Sequence, residues 1–250
     1  MQKVRIIPTL LYSNNLVKGK NFKSWRVVGN LYQMIKLYNL REVDELIFLD
    51  IDATERGLIQ FSLIDEFADE CFVPLTVGGG VKQMKDIEDL LKVGADKICI
   101  NTSAIENLEF VENAIKKYGS QCIVISIDYK INDQGKLEVY KNSGNKKTGL
   151  FLEDYFKKIS DIGPGEIILT SIDHEGEMKG YDIKNILKMN NISSSQIIAS
   201  GGAGTSKDIY DVIEETGVKA LTASSIYHFT EITPLDVKKY LKKKKISVRL

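Results

Sequence analysis

Two glycine-rich stretches carry the first chemical signal in this chain. Val77-Gly78-Gly79-Gly80-Val81 follows the apolar run Phe72 to Val77, and Ser200-Gly201-Gly202-Ala203-Gly204 follows Ile197 to Ala199. Each precedes a helical pattern that opens on Lys-Asp-Ile, at Lys85 and at Lys207. A glycine turn between strand and helix lets backbone N–H groups close on an anion, and the helix dipole favours negative charge there. Two such turns predict two phosphate sites. Downstream of each, a further apolar run ends in small polar residues, Asn101-Thr102 in one copy and Ser224-Ser225 in the other.

Acids and hydroxyls close other apolar runs: Asp50 and Asp52, Asp128, Thr170 with Asp173 and His174, and Ser200. Asp128, partly desolvated, can serve as a general base or acid; its other reading is a cap on the following turn. Asp173 has the same two readings, since it can make an Asx turn before Gly176. His174 reads as a loop residue, and His228 as packing or capping. Trp25 reads as loop packing. No Cys/His spacing suits a metal, and neither metal nor cofactor is expected.

These residues need a frame that gathers strand ends. Apolar, β-branched strands are expected at Val4–Leu10, Glu45–Asp50, Phe72–Val77, Lys97–Asn101, Cys122–Ile127, Glu166–Thr170, Gln196–Ser200 and Ala220–Ala223. Helical patterns cover Val27–Leu37, Leu58–Phe67, Leu108–Tyr118, Leu150–Ile159 and Leu235–Leu241, and Ser13–Lys23 reads as a long loop, mobile or functional. Residues 129–147 break the rhythm and read as a small hairpin insertion. Nearly continuous apolar strands alternating with helices indicate an α/β fold, a single eightfold (β/α) TIM barrel. In such a barrel the active site lies at the C-terminal strand ends.

The chain also repeats itself. Glu45–Asp52 matches Glu166–Asp173 at a separation of 121 residues, the glycine turns match at 122, and Arg5–Tyr12 matches Cys122–Tyr129 at 117. Two half-barrels, about 1–120 and 121–250, account for this. Under that symmetry the position equivalent to Asp128 is Leu11, which can neither donate nor accept a proton. At the opposite end Arg5, Glu45, Lys97 and Glu166 start their strands. Charges almost never enter a barrel interior unpaired, so these four form either a surface ring of salt bridges or a polar layer that plugs or gates the barrel bottom.

With 34 basic and 34 acidic residues the formal net charge is zero, so no global field favours nucleic acid, and the run Lys242–Lys245 reads as a solvated helix end. No apolar run is long enough for a membrane span. Cys71, Cys99 and Cys122 cannot all pair and read as buried thiols. With a strand pattern at the start of the chain, they make the cytoplasm the expected address.

Taken together, Arg5-Ile6-Ile7-Pro8, Leu16-Val17-Lys18-Gly19, Phe48-Leu49-Asp50-Ile51, Thr76-Val77-Gly78-Gly79-Gly80, Gly94-Ala95-Asp96-Lys97, Ile100-Asn101-Thr102, Thr170-Ser171-Ile172-Asp173, Gly180-Tyr181-Asp182 and Ala199-Ser200-Gly201-Gly202-Ala203-Gly204 resemble the motifs of HisF, the cyclase subunit of imidazole glycerol phosphate synthase. The resemblance covers essentially the whole chain. It implies a synthase or lyase subunit that receives ammonia through the barrel from a HisH-like glutaminase docked at the bottom, and a phosphorylated small molecule bound at the top. It implies that Gly80, Asn101 and Thr102 bind one phosphate and Gly202, Ser224 and Ser225 the other. It makes Arg5, Glu45, Lys97 and Glu166 the ammonia gate, Asp96 part of the glutaminase interface, and Lys18 the lysine of a mobile first loop, with Asp128, Asp50 and Lys18 as the catalytic set.

Two departures stand out. The family's strand-one aspartate is Leu11 here, and its Asp-Gly-Thr after strand six reads Glu175-Gly176-Glu177, where an anion at Glu177 would repel a nearby phosphate. This pattern is similar to the HisF paralogues of surface-sugar pathways, which pass ammonia to a third protein, an amidotransferase forming an acetamidino group on a nucleotide-linked sugar. The alternatives are a working cyclase of histidine biosynthesis, a scaffold that only activates the glutaminase, and the related barrel isomerase. The isomerase also needs a strand-one aspartate and has no use for the charged gate.

Overall fold

A computed structural model describes residues 2–250. The first half runs β1 (Arg5–Ser13), β2 (Asn15–Lys20), β3 (Lys23–Gly29), α1 (Leu31–Leu40), β4 (Leu46–Asp50), α2 (Ala53–Arg56), α3 (Phe61–Ala68), β5 (Leu75–Gly78), α4 (Met84–Lys92), β6 (Lys97–Ile100), α5 (Thr102–Glu106) and α6 (Leu108–Tyr118). The second runs β7 (Ile123–Ile131), β8 (Leu137–Lys141), β9 (Lys146–Phe151), α7 (Leu152–Ile162), β10 (Glu166–Ser171), α8 (Ile183–Asn190), β11 (Gln196–Ser200), α9 (Ser206–Thr216), β12 (Ala220–Ala223), α10 (Ser225–Phe229) and α11 (Pro234–Lys243). Eight parallel strands pair in the order β10-β11-β12-β1-β4-β5-β6-β7, and β7 pairs with β10 to close the barrel.

The strands are buried on both faces, which is why they read as continuous apolar runs. Their alternation splits the core in two. Ile6, Leu10, Phe48, Ile125 and Leu169 pack outward against the helices. Ile7, Ile47, Cys99, Val124, Ile168, Ile198 and Ala220 fill the barrel itself. Both half-barrels use the same device after the glycine turns. The aspartate of each Lys-Asp-Ile motif reaches back over its helix start: Asp86 accepts from the N–H groups of Lys82 and Gln83, and Asp208 from those of Gly204 and Thr205. These bonds satisfy backbone donors that a helix N-terminus leaves open and fix how the chain leaves each turn.

Several boundaries differ from the sequence expectations, for physical reasons. Ser13–Lys23 is not a bare loop: β2 and β3 form an antiparallel hairpin whose tip, Asn21 and Phe22, takes positive φ. The expected Val27–Leu37 helix starts only at Leu31, because Val27 belongs to the hairpin and Asn30 caps the helix, accepting from Tyr32 N at 3.0 Å. The insertion at 129–147 is the turn of a meander; β7 continues into it and β9 extends to Phe151. Phe72 lies outside β5 and is 79% exposed. Helix α8, capped by Asp182, fills the stretch between β10 and β11 for which no element was expected. Of the three cysteines, all free thiols, only Cys99 is fully buried. The lysines 242–245 are exposed at the end of α11.

Candidate functional site

The C-terminal strand ends surround a cavity of about 1150 Å³, measured out to its open mouth. Its two glycine turns hold backbone shapes that a side chain would forbid. Gly79 has φ +111°, and a Cβ there would collide with the Asp50 carbonyl; Gly202 has φ +117°, and a Cβ would strike the carbonyl of Gly180. Of the six residues expected to hold phosphate, Gly80, Asn101, Gly202, Ser224 and Ser225 line the cavity, and Thr102 does not. The Thr102 hydroxyl is turned to the meander, donating to Asn142 Oδ1 at 3.1 Å and accepting from Asn142 N at 3.1 Å.

Asp128 lies within β7, in the part of the strand that lines the barrel mouth. Its carboxylate accepts from Ser126 Oγ and from Asn101 Nδ2, each at 3.2 Å. Burial pushes its pKa up to about 6, against the hydrogen bonds from Ser126 and Thr170 that favour the charged form. A carboxyl group titrating there can give or take a proton near neutral pH. Across the barrel, Leu11 lines the same cavity, paired in register with Leu49. At these two equivalent positions one half-barrel therefore presents a carboxyl group and the other an aliphatic side chain. Cys99 lies deeper, and burial with the nearby Asp128 charge raises its thiol pKa strongly, keeping it protonated.

Asp50 lines the cavity, but its carboxylate is committed elsewhere. It pairs with Arg56, accepts from Gln60 Nε2 at 3.2 Å and from the backbone N–H of Asp52 at 3.2 Å. This set ties β4 to α2 and gives Asp50 a positioning role more readily than a proton-transfer one. Lys18, on the β2–β3 hairpin, is buried with its ammonium against Glu175. Burial alone pulls its pKa down to about 7, and the Glu175 carboxylate favours the charged form. Lys18 is the one cationic side chain lining the cavity among the described residues. His228 is kept neutral by burial, with Lys18 and Arg41 pressing in the same direction, its pKa falling to about 4.

The hairpin lies across the mouth. Asn21 bonds the carbonyls of Ile172 and Asp173 through its side chain and that of Glu175 through its N–H. Arg26 stacks on Phe229 with 3.8 Å to the ring centroid. Phe22 and Trp25 line the cavity beneath it, so Trp25 faces the ligand space and is not merely packed in a loop. The expectation for Glu177 needs correction: it turns outward to Lys179, 3.4 Å away, and it is Glu175 that lines the cavity. Asp173 accepts from Ile131 N at 2.9 Å, which pins the meander, and His174 bonds Ser171; neither lines the cavity. Asn142, Ser143, Phe22 and Glu175 were not foreseen as site residues. The turn sequence Asn142-Ser143-Gly144-Asn145 was the only available signal for the first two.

At the barrel bottom the four expected charges form a closed ring. Arg5 reaches Glu45 at 2.5 Å and Glu166 at 2.5 Å, and Lys97 reaches the same two carboxylates at 3.0 and 2.8 Å. Burial works against the Arg5 charge, but Glu166 and Glu45 overcome it and its pKa rises. The ring sits below the aliphatic barrel core, so the alternating signs meet across the axis and not out in solvent. Beside it, the exposed Asp96 accepts from Leu75 N at 2.8 Å. Among the described residues there is no group of His, Cys, Asp and Glu placed to hold a metal, and no helix long and apolar enough to cross a membrane.

Known proteins match this chain in sequence along nearly its whole length. A family model described as histidine biosynthesis protein matches residues 5–233. The chain is 44% identical over 248 residues to the imidazole glycerol phosphate synthase subunit HisF of Dictyoglomus thermophilum, with 98% of each chain covered. It is 43% identical over 254 residues to a Campylobacter jejuni protein that carries the provisional name imidazole glycerol phosphate synthase subunit hisF2, with 100% of each covered. The HisF subunit of Clostridium botulinum strain Alaska E43 is 40% identical over 253 residues, again over 100% of both. A closed eightfold barrel with two glycine turns at one end and a charged ring at the other, matched along its full length by these subunits, places the chain in the HisF family.

Proposed function

We propose that this chain is the barrel subunit of a glutamine amidotransferase that receives ammonia from a HisH-like glutaminase and no longer carries out efficient cyclisation. One observation carries the reading: the strand-one position facing Asp128 is Leu11, while the ring of Arg5, Glu45, Lys97 and Glu166 is intact. A single carboxyl group cannot protonate one atom and deprotonate another at once, and losing one partner of an acid/base pair costs about 10²–10⁴-fold in rate. In this role the glutaminase docks over the ring with Asp96 at its edge, and ammonia crosses the aliphatic core to the cavity. A phosphorylated ligand sits at the glycine turns. A third protein uses the ammonia to form an acetamidino group on a nucleotide-linked sugar for surface polysaccharide, with the cytoplasm as the setting. The similarity to a relative numbered hisF2 supports a paralogue role.

The second reading, a working cyclase of histidine biosynthesis, is favoured by the names of the full-length relatives. Purified chain supplied with ammonium salt and the cyclase substrate separates the two. We expect no turnover above background, and turnover restored by Leu11→Asp; wild-type turnover at the rate of a histidine-pathway HisF would overturn the proposal.

A further inference from the structure

The two glycine-turn sites are unequal. At the second turn, Ser224 and Ser225 are 7% and 5% exposed, line the cavity, and have hydroxyl oxygens with no hydrogen-bond partner among the described residues. Buried hydroxyls left unpaired cost free energy unless something in the site accepts from them. The Lys18–Glu175 ion pair lies on the same side: Glu175 Oε2 would stand 3.5 Å from a Cβ on Gly201, so the Lys18 charge serves an anion at this turn once that pair opens. Two unpaired hydroxyls at a glycine turn call for an acceptor, and a lysine that can leave its carboxylate partner supplies the counter-charge for an anionic one.

The first turn offers none of this. Asn101 spends its amide on Ser126 O at 3.0 Å and on Asp128. Thr102 is bonded twice to Asn142 and withdrawn from the cavity. Asn142 is itself held in place. Its turn has positive φ at Asn142, Ser143 and Gly144, Ser143 Oγ donates to Ile51 O at 2.7 Å, and Gly144 abuts Phe22 of the hairpin.

We propose that Asn142 is a specificity-determining shutter that closes the first turn, so that the cavity takes ligands with one phosphate group, seated at the second turn by Ser224, Ser225 and Lys18. The inference rests on the reading of the glycine turns as phosphate cradles. A second phosphate at the first turn meets the backbone N–H groups alone, without a hydroxyl or a cation, until the Asn142 side chain leaves the Thr102 hydroxyl.

Titration of the full chain with inorganic phosphate, followed by calorimetry and ³¹P NMR, tests it. The wild type should bind one phosphate per chain, and Ser225→Ala should weaken that binding. Asn142→Gly keeps the positive φ, removes the acceptor, and should bind two. Asn142→Asp keeps the acceptor and should still bind one, with melting curves confirming that each variant folds. Correspondingly, ribulose 1,5-bisphosphate should bind the wild type no more tightly than ribose 5-phosphate, and more tightly only in Asn142→Gly. Two phosphates on the wild type, a single site indifferent to Ser225→Ala, or a single site in Asn142→Gly would each overturn the shutter while leaving the phosphate reading intact. No phosphate bound by any variant would overturn both.

Discussion

Asp128 is held by the surrounding structure in a state its own chemistry disfavours. Buried among Ser126, Asn101 and Thr170, it has a pKa of about 6, well above the ordinary carboxylate range. The folded protein therefore binds its proton more tightly than the unfolded chain does, and stability falls as pH rises from the unfolded value near 4 through the folded one near 6. Asp128→Asn removes that penalty. The variant should be more stable than wild type at pH 7.5, by up to about 3 kcal/mol, and the gain should vanish below about pH 4. Urea unfolding at the two pH values checks this; an equal gain at both would show that the carboxylate is not strained. Asp128 and Leu11 were both legible in the sequence, one as a polar end to an apolar run and the other through the repeat. The partners of Thr102 and Lys18 were not. They lie 40 and 157 residues away, and only the folded mouth brings them together.

Among the elements, α11 shows how the frame is fastened. Lys238 is 1% exposed, and its ammonium donates to Asp44 Oδ1 at 2.7 Å and to the Glu42 carbonyl at 2.6 Å. Asp44 in turn accepts from Ile6 N at 2.9 Å, so one buried pair ties the last helix to β1 and to the entry of β4. Lys238→Met leaves a buried carboxylate without its counter-charge, which costs about 3–5 kcal/mol. A drop of that size in urea unfolding is expected, with Asp44→Asn in the same background recovering part of it. The elements themselves were legible wherever periodicity was strong: β11, β12 and α6 fall at their expected bounds. The β2–β3 hairpin was obscured because its outer strand, Lys23–Gly29, is mostly exposed and lacks the alternation that marks a half-buried strand. A helix pattern starting at Val27 fits that stretch equally well in sequence; the Asn30 cap is what sets the boundary.

At the scale of the molecule, the barrel is closed at one end by charge and lidded at the other by antiparallel ribbons. The ring was legible as four strand-start charges, but not its connectivity, which depends on strand stagger. Each carboxylate of the ring touches both cations, so Lys97→Met leaves Glu45 and Glu166 each with Arg5 alone. We expect a loss of about 1–3 kcal/mol in stability, less than for a fully orphaned buried charge. With the proposed glutaminase partner added, the same variant should lose glutamine-fed ammonia delivery relative to the reaction fed with ammonium salt. Equal losses with both nitrogen sources would reduce the ring to a structural role.

The two ribbons bear on how a ligand is oriented. The β2–β3 hairpin and the β8–β9 arm follow equivalent barrel strands in the two halves and touch through Phe22 and Gly144. A frame duplicated in this way would accept an elongated molecule end for end, because turning it by half a revolution would meet the same strands and the same glycine loops. Leu11 facing Asp128 removes that degeneracy, and so does a free pair of serine hydroxyls at one end against an occupied threonine at the other. The cavity has a heading: the same guest facing backwards would put its polar group against leucine.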